Sequence, residues 1–227
     1  MLHTKKRNDP SACDVNVKYW PGSVDAVSVT VRPATKTDVP AVATVLADAF
    51  FDDPVMAWMW PDEGRREHGL RRYFAAEARF HSVPVGGADI AERAEIVGGA
   101  ALWAPPGAWK PTVWQSLRMW PRLAVALGSH PRAGIAVSAA LEAVHPAEPH
   151  WYLSTLGSAS HSRGGGFGAA LLRSRLDRCD ATHAPAYLES SKEVNIGYYE
   201  RFGFEVTREI VIPRGGPTLW AMWRNPR

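Results

Sequence analysis

Cysteine is nearly missing from this chain: 227 residues hold two, Cys13 and Cys179. They form neither a metal-binding spacing nor a disulfide framework, so both are expected to be reduced thiols outside the chemistry, and no metal site is expected. Long apolar runs are missing too. The longest, Gly134 to Val144, falls far short of the roughly 20 residues that cross a bilayer and carries Glu142 near its end, which excludes a transmembrane span and a membrane partner. Met1 to Pro21 has Lys5, Lys6 and Arg7 but no apolar stretch and no small-residue cleavage pattern after them. A secretory signal is therefore not expected, and the reading is cytoplasmic. Charge of one sign is lacking as well: 26 basic against 23 acidic residues leave +3, spread along the chain. That argues against a nucleic-acid partner, whose binding face would gather its cations.

What is abundant is apolar surface. Hydrophobic residues make up 46% of the chain, enough to fill the core of one large domain with an inserted segment. Ten tryptophans are many for this length, and most lie between Trp58 and Trp151, where they serve a core or line an apolar pocket.

Residues 1–26 lack periodicity and read as a flexible leader; the domain is expected over 27–227. Val27 to Pro33 alternates as a strand does. Thr37 is placed as an N-cap, with Pro40 early in the helix and Val42, Val45, Leu46, Ala49 and Phe50 at helical spacing up to Asp52-Asp53-Pro54. Glu63 to Phe80 predicts a second helix, and Ile96 to Trp103 a buried strand stopped by Pro105-Pro106. Two helical patterns between about 109 and 148, broken at Gly128 to Pro131, form an insertion on the substrate side. The remainder reads strand Trp151 to Ser158, Gly-rich turn, helix Gly166 to Cys179, strand Ala186 to Ser190, helix Val194 to Arg201 and two final strands ending near Trp223.

The turn Arg163-Gly164-Gly165-Gly166-Phe167-Gly168 sits between a strand and a helix. Without Cβ atoms in the way, its backbone N–H groups can approach an anion, and the helix N-terminus adds partial positive charge, so the turn suits a pyrophosphate. A dinucleotide fingerprint is the rival: Gly164, Gly166 and Ala169 fit G-x-G-x-x-A, and Glu189 follows about 20 residues later. Against it, Ala159 to Arg163 separate the strand end from the first glycine, and fewer than 60 residues follow the turn, too few for further βαβ units. A Walker loop fails because no Lys-Ser or Lys-Thr follows Gly168.

The segment Asn195 to Phe204 separates these readings, because here the chain resembles the GCN5-related N-acetyltransferase (GNAT) superfamily. Arg163, Gly166 and Gly168 match that family's [Arg/Gln]-x-x-Gly-x-[Gly/Ala] stretch, and Tyr199 stands shortly before the pair Gly203-Phe204. Within the superfamily the chain is similar to puromycin N-acetyltransferase-like proteins over roughly residues 29 to 224, in Val31-Arg32, Asp38-Val39-Pro40, Glu148-Pro149 and Leu188-Glu189; Ser160 departs from the proline common there. The resemblance implies an α/β (α+β) GNAT fold: a central mixed, mostly antiparallel sheet flanked by helices, with a helical insertion before the cofactor-binding strand. It implies acetyl-CoA as co-substrate, held by Arg163, Gly164, Gly165, Gly166, Phe167, Gly168, Ala169 and Asn195. The backbone of Leu156, Gly157 and Ser158 would pair with the pantetheine arm, and Tyr199 would act at the thiol.

Acetyl transfer needs an uncharged amine and a proton for the departing thiolate. An alkyl amine has a pKa of about 10, so a carboxylate base helps; Glu189 is the first candidate and Glu148 the second, with Glu142 and His145 behind them. The Tyr199 hydroxyl, with a pKa of about 10, suits thiolate protonation. Phe50, Phe51, Trp58, Trp60, Trp103 and Trp109 are the aromatic candidates for the acceptor pocket. The expected partner is a small-molecule amine, an aminonucleoside such as puromycin included, taken by a monomer or homodimer. A CoA-binding regulatory domain without turnover and an acetyltransferase of protein amines remain as alternatives.

Overall fold

The computed structural model describes residues 28–127 and 131–227. The leader, Cys13 and the first three residues of the Gly128 to Pro131 break lie outside them.

Among the described residues seven strands make one sheet: β1 (Thr30–Pro33), β2 (Ala88–Arg93), β3 (Ile96–Ala104), β4 (Trp151–Ser158), β5 (Ala186–Ser190), β6 (Glu205–Val211) and β7 (Thr218–Arg224). Their spatial order is β1-β2-β3-β4-β5-β7-β6. Every neighbouring pair is antiparallel except β4 and β5. A parallel pair needs a crossover, supplied here by the helix Phe167–Ala181. With one parallel pair the sheet is mixed and mostly antiparallel, and the doubly wound sheet of a dinucleotide-binding fold is ruled out.

Among the described residues seven α-helices flank it: α1 (Val39–Ala49), α2 (Pro54–Met59), α3 (Glu63–Glu77), α4 (Val113–Leu127), α5 (Pro131–Val144), α6 (Phe167–Ala181) and α7 (Ile196–Glu200). A π-helical turn, Ala78–Ser82, continues α3. The apolar spacing of α1 buries Val39, Val42, Ala43, Leu46 and Ala47 against one sheet face, where they share a core with Leu70 and Phe74 of α3 and with Ile90, Leu102 and Tyr187 of the sheet. The other face packs Leu171, Leu172 and Leu176 of α6 on Ala101, Trp103, Leu153, Leu188 and Met222. Period-two alternation along β3 and β5 splits neighbouring residues between these cores.

Three local expectations need correction. Asp38, not Thr37, precedes α1, and its carboxylate turns back to accept from Arg32 and from the Thr35 backbone N–H. The first helix ends at Ala49, a little before Asp52-Asp53-Pro54, and that stretch also starts the next: Asp53 caps α2 by accepting from the N–H groups of Val55 and Met56, and Pro54 occupies the first helical turn, where no N–H is missed. Strand β2 was not foreseen; its buried Asp89 interrupts the apolar pattern and is matched by Arg175 of α6, at 2.6 Å.

Candidate active site

β4 and β5 pair over three residues only, from Trp151↔Ala186 to Leu153↔Leu188, and then diverge. Just beyond that point β4 carries an extra residue: Trp103 stands opposite Leu153 and Leu102 opposite Thr155, which leaves Ser154 as a bulge. From Ser154 to Ser158 the β5-side edge of β4 has no strand partner among the described residues. A cleft of about 820 Å³ fills the opening, with Ser154 to Ser158 on one wall and Leu188 to Lys192 on the other. Its size is that of a small-molecule site. At Gly157 β4 passes close to α1: a Cβ there would lie 2.7 Å from the Ala49 side chain.

At one end of the cleft lies the glycine turn. Gly164 and Gly166 hold φ of 76° and 85°, a region that Cβ-bearing residues avoid, and their missing Cβ atoms would point into open space. Gly166 starts α6 with no side-chain cap, so N–H groups of the first turn remain for an outside anion. Arg93 braces the turn by donating to the Gly165 carbonyl at 2.8 Å and lying over the Phe167 ring. Arg163, Lys192 and Arg201 line the same cleft. Open N–H groups, a helix N-terminus and three cations fit a polyanion such as a pyrophosphate.

The other end reaches the α1 side of the sheet, where Phe50, Asp53 and Glu189 line the cleft. The Glu189 side chain is 3% exposed. Burial pushes its carboxyl up to about 7, against the pull of the facing Tyr152 and Tyr187 phenols. A group with a pKa near the working pH can both take and return a proton. Asp53 is also buried, which raises its pKa; Ser191 Oγ donates to it. Tyr199 lies along the cleft, its phenol pushed above 10 by burial, by neighbouring Tyr198 and by Asp53.

Residues 44–204 match the model of the acetyltransferase (GNAT) family. This chain is an acetyltransferase of the GNAT family. The structure is similar to that of a protein from Corynebacterium glutamicum described as histone acetyltransferase HPA2 and related acetyltransferase, with a TM-score of 0.70, 31% identity and coverage of 88% of this chain and 97% of that one. An uncharacterized N-acetyltransferase of Schizosaccharomyces pombe is 28% identical over 189 residues, 78% of this chain and 74% of the other. A polyamine N-acetyltransferase of Drosophila melanogaster, 14% identical, shares the fold with a TM-score of 0.58 over 87% of this chain and all of that one.

Most residues singled out in the sequence fall on this GNAT cleft. Leu156, Gly157, Ser158, Arg163, Gly164, Gly166, Phe167, Gly168, Ala169, Asn195, Tyr199, Glu189 and Phe50 all line it, while Gly165 lies within the turn but off the lining. The Asn195 side chain makes no capping bond to α7, at whose start it stands. Phe51, Trp109, Glu142 and His145 do not line it, and four further residues stand elsewhere. Glu148 is exposed in the loop before β4, outside the cleft. Trp103 is wholly buried in the α6-side core, because its position on β3 points away from the α1 side. Trp60 is buried and donates its indole N–H to the Ala126 carbonyl at 2.6 Å, and Trp58 packs half-buried on the same α1-side core. Asp53, Ser191, Lys192 and Tyr198, which the sequence reading missed, belong to the cleft. Asp53 had a signal: Asp-Pro is the chemistry of a helix start.

Proposed function

We propose that this acetyltransferase moves the acetyl group of acetyl-CoA onto the primary amine of a small molecule, with Glu189 collecting the amine proton and Tyr199 supplying one to the departing thiolate. The observation that carries the reading is that a single cleft joins the uncapped glycine turn, the unpaired β4 edge and the Glu189 carboxylate. The pyrophosphate would lie on the N–H groups of Gly164 to Gly168, and the pantetheine amides would extend β4 as an added strand. That alignment supplies most of the catalysis, since holding two reactants in register is worth about 7 to 11 kcal/mol. The amine loses its proton to Glu189, its nitrogen attacks the thioester carbonyl, and the C–S bond breaks as the thiolate takes the Tyr199 proton, while the proton left on the new amide nitrogen restores the Tyr199 phenol. With its pKa raised, Tyr199 stays protonated over the whole working range.

Among amines, an aminonucleoside such as puromycin fits the sequence resemblance. A peptide amine is the second reading, favoured by the 31% identical relative described as a histone acetyltransferase. Thiol release from acetyl-CoA across a panel of puromycin, agmatine, phenethylamine and a histone-tail peptide tests both: turnover is expected with a small amine, and none with any member would favour a CoA-binding domain without activity. Acetyl-CoA, not NADH, is expected to raise the melting temperature. Tyr199→Phe should lower kcat about 10² to 10⁴-fold with acetyl-CoA still bound; unchanged turnover would remove Tyr199 from the mechanism. Gly166→Val should weaken acetyl-CoA binding, because a β-branched residue cannot hold φ near 85°.

A further inference from the structure

Behind Glu189 the polar groups continue away from the cleft. Its Oε1 has no hydrogen-bond partner and stands 3.9 Å from Nδ1 of His145, whose side chain is 2% exposed. His145 stacks on Trp109, ring centroids 3.7 Å apart, and meets the edges of Tyr152 and Tyr187. Its Nε2 lies 3.1 Å from Nε2 of His150, and His150 Nδ1 lies 2.6 Å from the carbonyl oxygen of Glu148. Glu148 is exposed.

Donor and acceptor roles follow from this order. A carbonyl only accepts, so His150 carries its proton on Nδ1, and as a neutral ring it offers a lone pair at Nε2. His145 must then donate from Nε2, which leaves the lone pair of Nδ1 aimed at Glu189. The two rings thus face the same way, each acceptor nitrogen turned toward the cleft and each donor toward the surface.

We propose that His145 and His150 form a proton exit from Glu189, carrying the proton taken from the acceptor amine to the exposed Glu148 side of the fold. The proposal rests on Glu189 as the base. In the transfer, neutral Glu189 gives its proton to His145 Nδ1 after a side-chain shift closes the 3.9 Å gap; His145 passes its Nε2 proton to His150 Nε2, and His150 releases its Nδ1 proton to water beside Glu148. One proton leaves, and because reversal along the file would return it to Glu189, each ring regains its starting tautomer separately, turning out of the file to lose the proton from one nitrogen to water and take one from water on the other. Burial holds both imidazoles neutral at neutral pH: His145 is pushed down to about 4 by burial, His150 and Lys110, and His150 is lowered by burial. The titratable and charged groups around them are Lys110, itself paired with Glu142, Glu148, the phenols of Tyr152 and Tyr187, Tyr73 beyond Tyr152 and Arg208 beyond Tyr187. Among the described residues the neighbours of Glu189 thus include one neutral imidazole, that of His145, and no directly paired cation.

Ring-nitrogen NMR of the ¹⁵N-histidine-labelled full chain tests the arrangement without any acceptor. His145 should be the Nε2–H tautomer and His150 the Nδ1–H tautomer at pH 7, and the His145 Nδ1 signal should move as pH crosses about 7 in the wild type but not in Glu189→Gln. A His145 proton on Nδ1, or a signal indifferent to Glu189, would overturn the proposal. In kinetics with the panel amine of highest turnover, His145→Ala and His150→Phe should each lose about tenfold in kcat with KM for acetyl-CoA unchanged, a smaller loss than for the base itself. Added imidazole should restore part of the His145→Ala loss. Full kcat in both histidine variants, or a loss that imidazole leaves untouched, sinks the exit while Glu189 stands; full kcat in Glu189→Gln removes the base and the exit together.

Discussion

Two carboxylates are buried in this sheet, and they are kept in opposite ways. Asp89 of β2 faces Arg175 of α6 at 2.6 and 3.2 Å, both side chains under 5% exposed, with the guanidinium also over the Trp151 ring. Among the described residues Glu189 of β5 has no cation against it, only phenols and an imidazole, and one oxygen without a partner. A buried charge that serves only the fold is neutralised on the spot. A buried carboxyl left without a counter-ion at a cleft is held where its proton can come and go, and that contrast supports the proposal of Glu189 as the base and reads Asp89 as scaffold.

The contrast can be broken by substitution. The largest effect expected is on turnover: Glu189→Gln should lower kcat about 10² to 10⁴-fold, or about 3 to 5 kcal/mol of barrier, by steady-state kinetics. Next, Arg175→Met strands Asp89 and should cost about 3 to 5 kcal/mol of stability in urea unfolding, with kcat retained in the protein that folds. If it abolished turnover without lowering stability, the division into scaffold and chemistry would fail.

The third prediction has the opposite sign. Glu189 is held up to about 7 in the fold against 4.5 for an ordinary glutamate, so the native state keeps the proton that the unfolded chain releases between those values. Its contribution to stability is present below about 4.5 and lost as pH rises through 7. Glu189→Gln, permanently neutral, should therefore be more stable than the wild type at pH 9, by up to about 3 kcal/mol, with the advantage gone near pH 4.5. The smallest effect belongs to an exposed pair: Arg71→Ala, which removes the contact with Glu67, should change stability by no more than about 0.5 kcal/mol.

Legibility in the sequence followed the distance over which each feature is decided. The strands Trp151–Ser158 and Ala186–Ser190 and the turn between them were readable to the residue or nearly so, because glycines, apolar runs and helix starts are local signals. Strand β2 was not, since Asp89 reads as a surface charge until Arg175, 86 residues away, is placed against it. Trp103 shows the same limit: alternation puts Leu102 and Trp103 on opposite faces but does not say which face lies under α1, and register and the Ser154 bulge decide that. Glu189 was singled out from its strand-end position. Its link to His145 and Trp109 depends on the loops either side of α4 and α5, whose helices carry apolar patterns on their exposed faces too, such as Trp114, Leu117 and Trp120.

The fork between β4 and β5 has a consequence for timing. The amides and carbonyls from Ser154 to Ser158 that face away from β3 are rungs of a ladder whose other rail none of the described residues provides. A substrate arm that pairs with them is zipped in one rung at a time and must be unzipped after every transfer, so its departure scales with the number of rungs rather than with the chemistry. Shortening the ladder, by proline at an outward-facing amide of this stretch, would be expected to loosen the product's hold before it slowed the reaction itself.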